Sequence, residues 1–154
     1  MSETNKTIEI KVERLIPASA AEVFDAWLNP EIPGNPWNAA EHYILDPKID
    51  GLFYWRLKGM SHYGRFTELT RPARIQHTWM SPNTLGLEST VTVIFQSQGE
   101  DTLMTLIHSG LPDHERSRGH DKGWNYFLDT LRAQFGDGSR KKYRWEDAHP
   151  PVET

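Results

Sequence analysis

The chain opens on a two-residue alternation. From Thr7 to Ile16, Ile8, Ile10, Val12 and Arg14 fall on one side, and Glu9, Lys11 and Glu13 on the other. A period of two predicts a half-buried strand, and Pro17 stops it. Ser19 and Glu22 then stand at capping-box spacing, with Val23, Phe24, Trp27 and Leu28 following at helical intervals. The spacing predicts an amphipathic helix of about 10 residues. Asn29-Pro30 ends it, and Pro33, Gly34 and Pro36 leave room only for a short helical turn or ordered loop before Trp37.

From 42 to 108 the period of two returns six times. Strands are predicted at His42 to Asp46, from Gly51 through Leu57, and at Ser61 to Leu69, Arg74 to Met80, Glu88 to Gln96 and Thr102 to His108. The connections are short, around Lys58-Gly59, Arg71-Pro72, Pro82 to Gly86 and Gly99, so neighbouring strands run antiparallel as a meander. Past Gly110 the period changes. Asp113 is a candidate N-cap, and Trp124, Phe127, Leu128, Leu131 and Phe135 recur every three or four positions until Gly136. One helix over 113–135 would be roughly 34 Å long. A seven-residue strand is only about 23 Å long, so such a helix crosses the whole sheet.

This order of elements resembles the helix-grip fold of the START-like and birch-pollen-allergen-like superfamily. Within it the chain resembles the family named after the carboxy-terminal domain of the heat-shock protein 90 ATPase activator. The resemblance is carried by Arg14-Leu15-Ile16-Pro17-Ala18-Ser19 with Val23-Phe24-Asp25-Ala26, by Gly64 to Leu69, by Ile75 to Trp79, by Leu106 to Gly110, and by Gly123-Trp124 with Leu128 and Leu131. Asp50-Gly51 departs from the Gly-Gly common in that family. The expected fold class is therefore α+β: a curved antiparallel sheet of six or seven strands wrapped on a long C-terminal helix. A single domain over 1–138 is expected, with a flexible tail over 139–154 whose Arg140, Lys141, Lys142 and Arg144 are basic. The resemblance also implies a cavity between sheet and helix, used across the superfamily for lipids, sterols and polyketides.

Composition narrows the function classes. The chain has 154 residues, 17 Lys and Arg against 21 Asp and Glu, and a formal charge of −4, which disfavours nucleic acid as a partner. It has no cysteine, so disulfides, thiolate metal sites and cysteine nucleophiles are excluded. No apolar run approaches the ~20 residues of a membrane span, and no signal peptide is visible, so a cytoplasmic location is expected. Aromatic residues make up 11%, with six Trp, and such rings either fill a core or line a hollow in it.

Strand parity points Phe53, Trp55, Leu57, Ile75, His77, Trp79, Val91, Val93 and Phe95 inward. The resemblance adds Met104, Leu106 and His108 and the helix face Trp124, Phe127, Leu128 and Leu131. With Trp37 and Phe66 these form the candidate ligand-binding set, mostly apolar as ligand pockets are. His77 and His108 are its polar members, and an imidazole on an apolar face needs a hydrogen-bond partner. His62, His77, His108 and His120 are the candidate histidines for a shared metal, but no HxH or HxxxH spacing supports one, and no metal or cofactor is expected. There is no Gly-x-Ser-x-Gly, and no Gly-rich phosphate loop. Glu115, Arg116, Arg118 and Lys122 read as a solvated helix face, or as a charged cluster at the cavity mouth. The expected function is binding of a small apolar or amphipathic ligand such as a lipid, polyketide or aromatic compound. The competing readings are a co-chaperone acting on the 90-kDa heat-shock ATPase and a cyclase- or hydrolase-type enzyme using the same cavity.

Overall fold

A computed structural model describes residues 6–136. The expected tail over 139–154 lies outside them. The strands are β1 (Thr7–Ile16), β2 (His42–Leu45), β3 (Leu52–Leu57), β4 (Met60–Thr70), β5 (Arg74–Trp79), β6 (Ser89–Gln98) and β7 (Asp101–Pro112). They form one antiparallel sheet in the order β1-β7-β6-β5-β4-β3-β2. This is the expected meander, with β1 added across β7. The helices are α1 (Ala20–Trp27), α2 (Pro36–Ala39), α3 (Glu115–Arg118) and α4 (His120–Gln134). Among the described residues no helix is long and apolar enough to cross a membrane.

Local chemistry explains the ends of these elements. Ser19 Oγ accepts from the Glu22 amide at 3.2 Å while Glu22 accepts from the Ser19 amide, the predicted capping box. Gly136 takes φ +85° and closes α4, as a left-handed C-terminal glycine does. At the β2–β3 turn, Asp50 holds φ +65°, a left-handed conformation that favours glycine and that Asp tolerates. Its amide donates to the Phe66 carbonyl at 2.8 Å, and its carboxylate takes Arg65 Nη1 at 2.8 Å, so the turn keeps its geometry without the glycine.

The expected single helix over 113–135 is two helices. Gly119 separates them, and the carbonyl of Ser117 is taken by the His120 side chain at 2.8 Å. The remaining rod, α4, spans 15 residues, about 22 Å, and runs along β1 rather than over the whole sheet. Arg14 pins it there: Nε donates to Asp129 at 2.6 Å and Nη2 to Asn125 at 2.7 Å.

The remainder of the inner face is covered by the first half of the chain. Phe24 of α1 meets Phe95 edge-on at 5.4 Å, and Trp27 packs against Trp124 at 6.2 Å and Trp37 at 6.4 Å. The buried amide of Asn35 joins α1 to α2. Its Nδ2 donates to the Ala26, Asn29 and Ile32 carbonyls at 2.9, 2.9 and 3.1 Å, and its Oδ1 accepts from the Asn38 amide at 2.9 Å. Each large side chain so buried contributes about 1.5–3 kcal/mol.

Candidate functional site

Where the rings of α1 and α2 stop, a pocket of about 690 Å³ remains. The sheet supplies Trp55 of β3, His62 of β4 and Trp79 of β5. Asn83, in the 3₁₀ turn Pro82–Thr84, forms one side. His114, Glu115 and Arg116 form the rim, and Gly119, His120, Gly123, Trp124 and Phe127 the helical wall. The pocket thus sits over one end of the sheet, at the junction of α3 and α4. A volume of this size suits a small organic molecule.

Four rings make the apolar wall. Trp79 and Trp124 lie 4.9 Å apart, Trp55 and Trp79 5.6 Å, and Phe127 stands 6.2 Å from Trp55 and 5.9 Å from Trp124. His62 stacks on Trp55 at 4.1 Å with only 17° between the planes. Gly123 faces the open space: a Cβ built there meets nothing within 4 Å.

Hydrogen bonds fix the histidine tautomers. A carbonyl only accepts, so His120 Nδ1–H donates to Ser117 O at 2.8 Å, and Nε2 is left to accept from the Trp79 indole N–H at 3.2 Å. His108 lies behind this pair, its ring 4.8 Å from that of His120. Its Nδ1 accepts from the Trp124 indole at 3.0 Å, so Nε2 carries the proton and donates to Ser89 Oγ at 2.8 Å. Ser89 in turn donates to the Trp79 carbonyl at 2.7 Å. Both rings are thereby locked as neutral, fully partnered imidazoles.

The electrostatics agree with this geometry. Burial lowers the pKa of His120. Burial, then the neighbouring His120 and His77, push His108 well below the ordinary value. His62 falls to about 4, chiefly through burial and then through His120, against the opposing pull of the Trp55 and Met60 carbonyls. His77 also falls to about 4 through burial, although its Nδ1–H donates to the Thr78 carbonyl at 2.9 Å. Near neutral pH the buried His62 and His120 of the pocket wall are uncharged. Among the described residues no group of three or more His, Cys, Asp or Glu side chains is placed to hold a metal.

At the rim, Arg116 Nε donates to Asn83 Oδ1 at 3.1 Å and Ser117 Oγ to the Asn83 carbonyl at 2.7 Å, tying the 3₁₀ turn to α3. His114 caps α3 by accepting from the Arg116 amide at 3.0 Å.

Of the residues singled out from sequence, Trp55, Trp79, Trp124 and Phe127 line this pocket. Trp37, Phe53, Phe66, Ile75, His77, Val91, Val93, Phe95, Met104, Leu106, His108 and Leu128 instead belong to the closed interior beside it. The reason is α1 and α2, whose Phe24, Trp27 and Trp37 fill the space over β5 to β7. Leu57 is half-buried at the end of β3, opposite Met60, and away from the pocket. His62 and His120 reach the pocket as wall residues with no metal-binding arrangement. The sequence did carry a signal for His62, which shares its strand face with Phe66; for Asn83 and Gly119 it carried none.

The comparisons with known proteins agree with the fold. A protein from Mesorhizobium loti, MLL2253, superposes with a TM-score of 0.70 at 20% identity, over 82% of this chain and 95% of its own. DynU16, a protein of the dynemicin biosynthetic locus, superposes at 0.69 with 20% identity, over 88% of this chain and 49% of its own. PFC0360w of Plasmodium falciparum, described as an HSP90 activator, superposes at 0.68 with 23% identity, over 81% and 94%. Among curated proteins none matches by sequence. The sequence model for Activator of Hsp90 ATPase homolog 1-like proteins matches residues 17–136, from the end of β1 through α4. The chain belongs to the family of Activator of Hsp90 ATPase homolog 1-like proteins.

Proposed function

We propose that this protein binds a small, flat, largely apolar molecule in the pocket between β3–β5 and the α3–α4 junction. The observation that carries the reading is the pocket itself: about 690 Å³ of space walled by Trp55, Trp79, Trp124 and Phe127. Aromatic walls at 5–6 Å spacing favour a planar guest, which stacks or meets them edge-on. Imidazoles held neutral make the pocket a poor host for a buried anion and a good one for an uncharged molecule. His120 has both ring nitrogens engaged within the protein, which favours a binding role over proton transfer. The fold likeness to DynU16 of a biosynthetic locus supports a small-molecule role. The test is titration with a naphthalene-type fluorescent probe against the protein and its Gly123→Phe variant, whose ring enters the pocket. Saturable binding that the variant loses supports the reading, and equal binding by both contradicts it.

The family also supports a second reading, action on a heat-shock ATPase, through the likeness to PFC0360w. Steady-state ATP turnover by the 90-kDa chaperone, with and without this protein, separates the two.

A further inference from the structure

The pocket contains an unsatisfied polar pair. Among the described residues, Trp55 Nε1 and His62 Nδ1 are, like ring nitrogens of Trp27, Trp37 and His77 in the closed interior, buried without a hydrogen-bond partner of good geometry, although the Trp55 and Met60 carbonyls lie near the His62 ring. Both residues line the pocket, and both are more than nine-tenths buried, at 4% and 7% exposure. Their ring centroids are stacked 4.1 Å apart, so one donor and one amphoteric nitrogen belong to the same pair of rings, just beneath the pocket surface. The rest of the wall differs: the indoles of Trp79 and Trp124 and both nitrogens of His120 are committed to protein partners. Buried polar atoms in folded proteins nearly always have partners, and each that lacks one calls for an explanation.

Resting on the pocket reading above, we infer that the guest carries a hydroxyl group, and that this hydroxyl takes the Trp55 Nε1–H as acceptor while sharing a second hydrogen bond with His62 Nδ1. An indole N–H only donates, so the guest must offer an oxygen or nitrogen lone pair. His62 Nδ1 either accepts or donates, according to the tautomer, and a hydroxyl answers both cases because it has one hydrogen and two lone pairs. An ether or a carboxylate answers only one. Both nitrogens are shielded from solvent, so binding includes a rotation of the His62 imidazole out of its stack. The ligand class is thus a neutral phenol or other hydroxylated aromatic, rather than a bare hydrocarbon or an aromatic acid.

The experiment uses four probes of one ring system: naphthalene, 2-methoxynaphthalene, 2-naphthol and 2-naphthoate. Affinities are measured by calorimetry at pH 7.5, with the His62 ring nitrogens followed by ¹⁵N NMR. The hydroxyl is expected to tighten binding about tenfold over both the hydrocarbon and the ether, the size of one hydrogen bond to an otherwise unpaired group. The His62 Nδ1 resonance shifts with 2-naphthol and not with naphthalene. Trp55→Phe and His62→Phe, which keep a ring in place, each reduce the 2-naphthol to naphthalene ratio toward one. Equal affinities for all four probes, or tightest binding of the ether or of the naphthoate, overturn the hydroxyl assignment while leaving the pocket reading standing. Absence of binding by every probe overturns the pocket reading and this inference with it.

Discussion

The indole N–H of Trp79 donates to Nε2 of His120 at 3.2 Å, and this bond closes the joint between the sheet and the start of α4. His120 Nδ1 meanwhile donates to the carbonyl of Ser117, just before Gly119 separates the two helices. One imidazole therefore seals the helix junction and positions an aromatic wall of the pocket. Replacing it with alanine orphans the buried Trp79 indole donor and takes one of two bonds from the Ser117 carbonyl, which also accepts from the Gly119 amide. His120→Ala should cost about 1–3 kcal/mol, read as a lower urea midpoint with an unchanged slope. A variant as stable as the parent would show the bond to be incidental.

Acid should unfold this protein through its histidines. His62 and His77 each fall from 6.5 to about 4, and His108 and His120 are lowered too. The unfolded chain thus binds protons that the native one refuses, so stability rises with pH across this window. It is complete above about pH 6.5 and declines as pH falls toward 4. For His77 alone the loss approaches about 3 kcal/mol, at ~1.4 kcal/mol per pH unit. Urea unfolding between pH 7.5 and 4.5 measures it. His77→Phe should flatten the decline, whereas a profile level over this range in the parent would refute the burial of these rings.

Gly123 has no structural need to be glycine. It sits inside α4, away from any positive φ, and an added Cβ meets only open pocket. Gly123→Ala should stabilise the protein by about 0.5–1 kcal/mol, visible as a raised Tm. Gly64 is the opposite case. Its missing Cβ would strike the Phe53 ring and the Thr78 carbonyl, so Gly64→Ala should lower the Tm by several degrees.

Asn35 makes four hydrogen bonds to backbone groups at full burial. Asn35→Leu strands the Ile32 carbonyl and the Asn38 amide and takes one bond each from the Ala26 and Asn29 carbonyls, which keep backbone partners, and should cost about 2–3 kcal/mol in chemical denaturation. A loss under about 1 kcal/mol would mean that the α1–α2 segment does not brace the core.

The neighbours from β2 to β7 were legible from sequence because each short turn allows only antiparallel pairing, and parity then assigns the buried face; the pairing of β1 with β7, joined by no short turn, was not. β1 spans the residues that alternation predicts, Thr7–Ile16. The helix break at Gly119 was not legible, since Trp124, Phe127, Leu128 and Leu131 keep one helical period on the far side of it. The extent of the pocket was hidden for a different reason. Parity says that Phe53 and Trp79 both point inward, but only Trp79 borders open space, because Trp37 packs edge-on against Phe53 at 5.6 Å. Which ring finds a neighbour depends on where α1 and α2 come to rest, and no local pattern states it. Asn83 joins the site through bonds to Arg116 and Ser117, 33 and 34 residues away.

The most direct test of a guest in the pocket is a ¹H–¹⁵N NMR titration of the protein with 2-naphthol. Saturable shifts should centre on the amides of Gly119, His120, Gly123 and Trp124 and on the indole N–H signals of Trp55, Trp79 and Trp124. Shifts that fail to saturate, or that centre on the surface depression at Leu85, Leu87 and Pro112, would contradict it.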